Sequence, residues 1–284
     1  MSNLLFLIPS IMYPFRKLIT AALFVACSTV PALADGTFDT DSVAFSDKIT
    51  VGDYEATVDV GGHYPSGTNT ALVNATRTWI RDHITENKYP VGNGAELVEK
   101  VGQNVMNQFR SDIADFMCPM EYTAKFRVPY ISDKVVTVDA WTYTYQGGAH
   151  GESVLGSQSF MAENGKALST DGIFKKASRR SVVSLVKKAL ARQYFQSASI
   201  REYVFDPAAI GLPACPPVFT EKGIKFQYQP YEIAPYSSGA PECVIPYSQL
   251  RSFMTSEACS LIPASAKTAP TQKSAAKSRK RSHR

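Results

Sequence analysis

Two runs of β-branched and aromatic residues flank Gln146-Gly147-Gly148-Ala149-His150-Gly151, and this arrangement constrains the fold more than any other stretch. Upstream, Val135 to Tyr145 is dense in Val, Thr, Trp and Tyr, side chains that suit a pleated, half-buried surface. Alternation places Val136, Val138 and Ala140 on one face. Downstream, Val154 to Met161 forms a second apolar run that stops at Glu163-Asn164-Gly165, where an Asn-Gly pair suits the positive φ of a tight turn. Two successive hairpins are expected. Gly147, Gly148 and Gly151 lack the Cβ that forbids sharply bent backbone, so the loop can turn tightly or bring its amides close to another group. His150 rides on this loop, where an imidazole can act as base, acid or ligand near neutral pH. It can equally be a hydrogen-bonding residue that pins the turn, since no residue beside it completes a recognised nucleophile or metal spacing.

The flanking chain supplies helices and further strands. Phe38 to Asp47 is short and polar and reads as a lead-in, with structure starting near Ile49 and a strand over Tyr54 to Val60 that ends at Gly61-Gly62-His63-Tyr64-Pro65. From Asn69, Leu72, Ala75, Trp79, Ile80 and Ile84 recur at helical spacing, with Ser66 or Thr68 available as the cap. His83 shares a face with Trp79, a spacing that points to packing. After Pro90-Val91-Gly92-Asn93-Gly94, the apolar series Leu97 to Phe116 predicts a long amphipathic helix, with Asp112 and Asp115 on its solvated edge. Glu121 to Tyr130 alternates as a strand leading into the hairpin. Consecutive strands at hairpin spacing predict an antiparallel meander, and with packed amphipathic helices the class is α+β.

A basic amphipathic helix follows over Val182 to Phe195, with Arg179, Arg180, Lys187, Lys188 and Arg192 along its outer side. The last third is proline-rich around Cys215. It predicts a strand pair in Val218 to Gln229, a short strand at Cys243 to Tyr247 and a helical turn over Ser248 to Thr255. Tyr228, Tyr231, Tyr236 and Tyr247 lie close enough in sequence to form an amphipathic contact surface, or else to wedge helix against sheet.

Length and composition describe a globular chain with a substantial core, at 284 residues, 44% hydrophobic and 19% charged. Arg16 and Lys17 before the apolar run Leu18 to Ala26, then Ala32-Leu33-Ala34, read as a signal peptide over residues 1–34 cut after Ala34. That run is too short for a membrane span, which takes about 20 residues; lipid modification at Cys27 is the alternative way of leaving the cytoplasm tethered. Cleavage leaves Cys118, Cys215, Cys243 and Cys259, an even number in an exported chain, and two disulfides are expected, with Cys215–Cys243 or Cys243–Cys259 among the pairings. The formal charge of +5 divides unevenly: two leader cations and seven in the tail leave −4 for residues 35–262. The tail, 263–284, has a composition that cannot bury a core and is expected to be disordered. Export and an acidic body argue against nucleic acid as a partner.

Tyr145 to Gly151, Asn164-Gly165-Lys166-Ala167-Leu168, Gly172-Ile173-Phe174, Gly223-Ile224-Lys225-Phe226, Tyr231-Glu232-Ile233-Ala234-Pro235-Tyr236 and Val244-Ile245-Pro246-Tyr247 together resemble an extracytoplasmic domain of unknown function. It is similar to the outer domain of lysozyme-sensing anti-sigma factors of the RsiV type and to a module fused to some peptidoglycan deacetylases. The resemblance covers about Tyr122 to Met254, so that 35–118 reads as a strand-helix segment and 119–262 as the domain proper. It implies an α+β domain outside the cytoplasm with a binding role and does not imply catalysis; lysozyme or a peptidoglycan-related glycan is the expected partner, and no cofactor or metal is expected. Anti-sigma activity is not carried over, because the chain shows no internal transmembrane span. Tyr145, Gly147, Gly148, His150, Tyr231 and Tyr236 are the expected ligand-binding residues. The rival expectation is an envelope hydrolase with His150 as base and Asp139 or Glu152 as its partner.

Overall fold

A computed structural model describes residues 36–85 and 88–263. The leader with its cleavage point, Cys27 and the cationic cluster Lys277 to Arg284 lie outside the described residues. The framework is a five-stranded sheet of β1 (Asp39–Val51), β2 (Tyr54–Ser66), β3 (Met120–Ile131), β4 (Val135–Tyr145) and β5 (Glu152–Met161), in that spatial order. The expected lead-in at Phe38 to Asp47 is instead most of β1. Val43, Phe45 and Ile49 turn inward against the core while Ala44, Ser46, Lys48 and Thr50 stay exposed, a period of two that a polar composition conceals.

β3, β4 and β5 form the expected antiparallel ribbon. β2 and β3, however, pair in parallel, because α1 (Thr70–Thr85) and α2 (Gly94–Phe116) intervene and return the chain to the same end of the sheet. The α+β class therefore stands with one parallel pair inside the meander. Gly62 makes that pairing possible, since a Cβ there would lie 1.8 Å from the Phe126 carbonyl oxygen. α1 is capped by Asn69, not by Ser66 or Thr68: its side-chain oxygen accepts from the Leu72 amide at 3.1 Å and its amide donates to Ala162 O at 2.8 Å. Asn93 caps α2, accepting from the Ala95 amide at 2.9 Å, and Met117 ends it in the left-handed region at φ 46°.

Both helices cover one face of the sheet. Leu72, Ile80, Leu97, Val101, Phe109 and Ile113 pack on Val58, Val60, Phe126, Val136 and Val138 in a first core drawn from residues 38 to 162. Trp79 and His83 stack at 5.2 Å, as their spacing predicts, and His83 sits over Gly156 of β5. Burial pushes the His83 imidazole down from its ordinary pKa, and its Nε2 has no hydrogen-bond partner, so it is a packed, neutral ring.

The opposite alternation of β4 and β5 faces a second core drawn from residues 135 to 262. After the short α3 (Thr170–Ile173), α4 (Arg179–Gln193) lies against a three-stranded sheet of β6 (Val218–Phe219), β7 (Gly223–Gln227) and β8 (Glu242–Pro246), followed by α5 (Tyr247–Leu250) and α6 (Ser256–Ser260). Val182, Val186 and Leu190 of α4 are fully buried there with Phe226 and Ile245. The seam between the cores is polar. Thr137 Oγ1 donates to Phe219 O at 2.8 Å, and Ser159 Oγ accepts from the Phe219 amide at 2.9 Å. Beside them, Asp139 binds Lys225 at 3.1 Å, Arg127 at 3.1 Å and Ser157 Oγ at 2.7 Å.

Candidate functional site

The glycine loop leaves β4 at Tyr145 and enters β5 at Glu152. Gly147 and Gly148 hold φ of 92° and 91°, conformations that other residues adopt only with strain, and the Tyr145 hydroxyl donates across the turn to Gly148 O at 3.1 Å. Cys118 Sγ fills the space beside Gly147, which ties the loop to the end of α2, where Phe116 and Met117 are exposed.

The segment after β7 comes to this loop because side chains sew it to the outer edge of β5. Gln229 accepts from the Leu155 amide at 2.9 Å and donates to Leu155 O, while Cys215 Sγ accepts from the Ser157 amide at 3.2 Å and donates to Ser157 O at 3.5 Å. The two side chains satisfy edge groups that a neighbouring strand would otherwise take. Tyr231 follows at φ 66°, a costly backbone state for a tyrosine, with 54% of its surface exposed.

His150, Tyr231 and Tyr236 meet as a result. The Tyr236 ring stacks on His150 at 4.0 Å and 15°, and Tyr231 lies 5.5 Å from Tyr236. Both imidazole nitrogens are engaged: Nδ1 is 3.0 Å from Gly151 O and Nε2 is 3.2 Å from the Tyr231 hydroxyl. A proton on Nδ1 satisfies both contacts, donating to the carbonyl and leaving Nε2 to accept from the phenol. The Tyr236 hydroxyl donates to the same Gly151 O at 2.9 Å. Tyr143 adds a further ring, packed so closely on Gly151 that a Cβ there would sit 2.5 Å from it, and Trp141 stacks behind at 6.2 Å. Burial, then the Glu121 carboxylate, pushes the Tyr143 phenol up, so the ring is a neutral contact. Trp141 and Tyr143 were absent from the expected site, although they share the alternation of Tyr145 and could have been found by it.

Of the clustered tyrosines, Tyr228 and Tyr247 are wedges: each is almost fully buried, with hydroxyls donating to Gly211 O at 2.8 Å and Thr220 O at 2.6 Å. The expected disulfides are not formed. Cys118, Cys215, Cys243 and Cys259 are all free thiols, and each sulfur lies in a different neighbourhood. Cys118 touches the glycine loop, Cys215 caps β5, Cys243 lies under α4 toward Val186 O, and Cys259 donates to Arg251 O at 3.5 Å. Burial, then Glu242, pushes the Cys243 thiol up to about 12. Asp139 belongs to the seam and Glu152 is exposed opposite Thr144. Among the described residues no three His, Cys, Asp or Glu side chains gather as a metal site, and no helix is long and apolar enough to cross a membrane.

This architecture is similar to that of solved structures. A crystal structure of a member of the DUF3298 family from Bacteroides fragilis is similar at a TM-score of 0.69 and 17% identity, over 78% of this chain and 95% of that one. A DUF3298 family protein from Pseudomonas aeruginosa gives a TM-score of 0.55 at 18% identity, over 79% and 97%. No curated protein matches. Residues 171–248, which include Tyr231 and Tyr236 and begin after the glycine loop, match the family described as "Protein of unknown function (DUF3298)", and the fold around them is the one seen in solved members of that family.

Proposed function

We propose that this chain is an exported cell-envelope binding protein that recognises a lysozyme-like protein or an envelope glycan through His150, Tyr231 and Tyr236. The observation that carries the reading is the seating of these rings together at the surface with both imidazole nitrogens satisfied. A histidine held in this way presents a fixed, amphipathic face, the kind of contact that aromatic-rich interfaces and sugar sites use. The resemblance to the outer domain of lysozyme-sensing anti-sigma factors supports a lysozyme, and a body charge of −4 suits so basic a partner. Exposed Phe116 and Met117 beside the loop extend the apolar area on offer. A hydrolase built on His150 finds no comparable support, since Asp139 is occupied by Lys225, Ser157 and Arg127.

Retention of lysozyme and of soluble peptidoglycan fragments on the immobilised full chain at low salt tests the reading. Tyr231→Ala is expected to weaken the retained ligand by about tenfold or more, as loss of an aromatic anchor does, with the melting temperature unchanged because the ring is half outside the fold. Absence of retention for both ligands, or retention indifferent to Tyr231→Ala and Tyr236→Ala, rejects the proposal.

A further inference from the structure

Apart from the aromatic cluster, an open groove of about 690 Å³ runs between the first half of α4 and residues 208–213. Ile210, Leu212 and Pro213 give it an apolar wall, and α4 faces that wall with Arg179, Arg180 and Lys187 around Val183. α4 carries Arg179, Arg180, Lys187, Lys188 and Arg192 with no acidic residue, on a body whose net charge is negative. Neighbouring carboxylates leave two of the groove's cations unbalanced. Asp171 pairs with Arg179, and Asp206 is taken by the Ala208 amide at 2.7 Å. The half-buried Lys187 ammonium donates to Pro207 O at 2.6 Å and forms no ion pair among the described residues, nor does Arg180. Positive charge beside an apolar wall acts through a low dielectric, where it attracts an anion more strongly than it would in open water.

We infer that this groove binds a small organic anion, with a phosphate or carboxylate head against Arg180 and Lys187 and an apolar body against Val183, Ile210, Leu212 and Pro213. Each half of the lining excludes a simpler occupant. A bare anion leaves the apolar wall wet, and a neutral amphiphile leaves the cations unanswered. The volume is within the range of small-molecule sites, about 300–1,000 Å³.

Calorimetric titration of the full chain with octyl phosphate, inorganic phosphate and octyl glucoside tests this. Octyl phosphate is expected to bind at least about tenfold more tightly than either of the others. Arg180→Gln is expected to weaken it by about tenfold, the value of a charge-assisted hydrogen bond, and Leu212→Ser by a smaller factor. Arg180 is exposed, so its variant keeps the wild-type melting temperature and a lost signal is not a lost fold. No binding of octyl phosphate, equal binding of inorganic phosphate, or affinity unchanged in Arg180→Gln overturns the inference. Binding only to anionic phospholipid vesicles also overturns it, and assigns the helix face to a membrane surface.

Discussion

Replacing Asp139 with alanine is expected to cost the folded state about 3–5 kcal/mol and to lower the melting temperature by about 10 °C. The carboxylate lies between the two cores with 6% of its surface exposed, and the Lys225 side chain beside it is 12% exposed. Removing the acid leaves that ammonium buried without its counter-charge, the situation in which a broken pair is most destabilising. Lys225→Met alone leaves the carboxylate only Arg127 and Ser157 against its burial, and the double variant Asp139→Leu with Lys225→Met is expected to recover much of the loss; thermal and urea unfolding measure both. The pH dependence has a definite sign. Burial alone would push the Asp139 carboxyl up, but Lys225, the Ser157 hydroxyl and Arg127 outweigh it and hold the carboxyl below the usual range. A folded pKa below the unfolded one means that the contribution is complete above about pH 4 and is lost as the pH falls toward the folded value. Wild type should therefore lose stability more steeply in acid than the alanine variant.

Gly62→Ala is expected to be as damaging, at about 3 kcal/mol or more. The added methyl would lie 1.8 Å from Phe126 O, a backbone atom that no rotamer change can move, and it would pry apart the parallel pair β2–β3 on which the sheet order depends. A Cβ on neighbouring Gly61 would lie 2.6 Å from Val43 O of β1, so the same chain segment is hemmed in from both sides. Soluble yield and the unfolding midpoint report the effect. A melting temperature within a degree or two of wild type would mean that β2 and β3 are not joined in this register.

Much of the fold was legible because local patterns and tertiary packing agree. The alternation of Val136, Val138 and Ala140 buries those residues against the helices, and the helical series Leu97 to Ile113 does the same from the other side. β1 was not legible, since polar Asp39 to Ser42 and Asp47 interrupt the alternation of Val43, Phe45 and Ile49, and pairing with β2 makes it a strand. The parallel pair could not be read from hairpin spacing, because two helices and not a hairpin turn lie between β2 and β3. Site geometry was legible only in part. The glycines and His150 announce a bent loop, but the meeting of His150 with Tyr231 and Tyr236 across some 80 positions depends on Gln229 and Cys215 gripping the edge of β5. Disulfide expectation failed for a related reason: an even count of cysteines says nothing about where β8, α6 and the segments before β3 and β6 carry them.

Hydrogen–deuterium exchange on the full chain, with and without saturating lysozyme or soluble peptidoglycan fragments, tests recognition by the aromatic cluster most directly. Slowed exchange concentrated in residues 145–152 and 229–239 is the predicted footprint. Binding accompanied by protection elsewhere, with both of those segments exchanging as in the free protein, would contradict it.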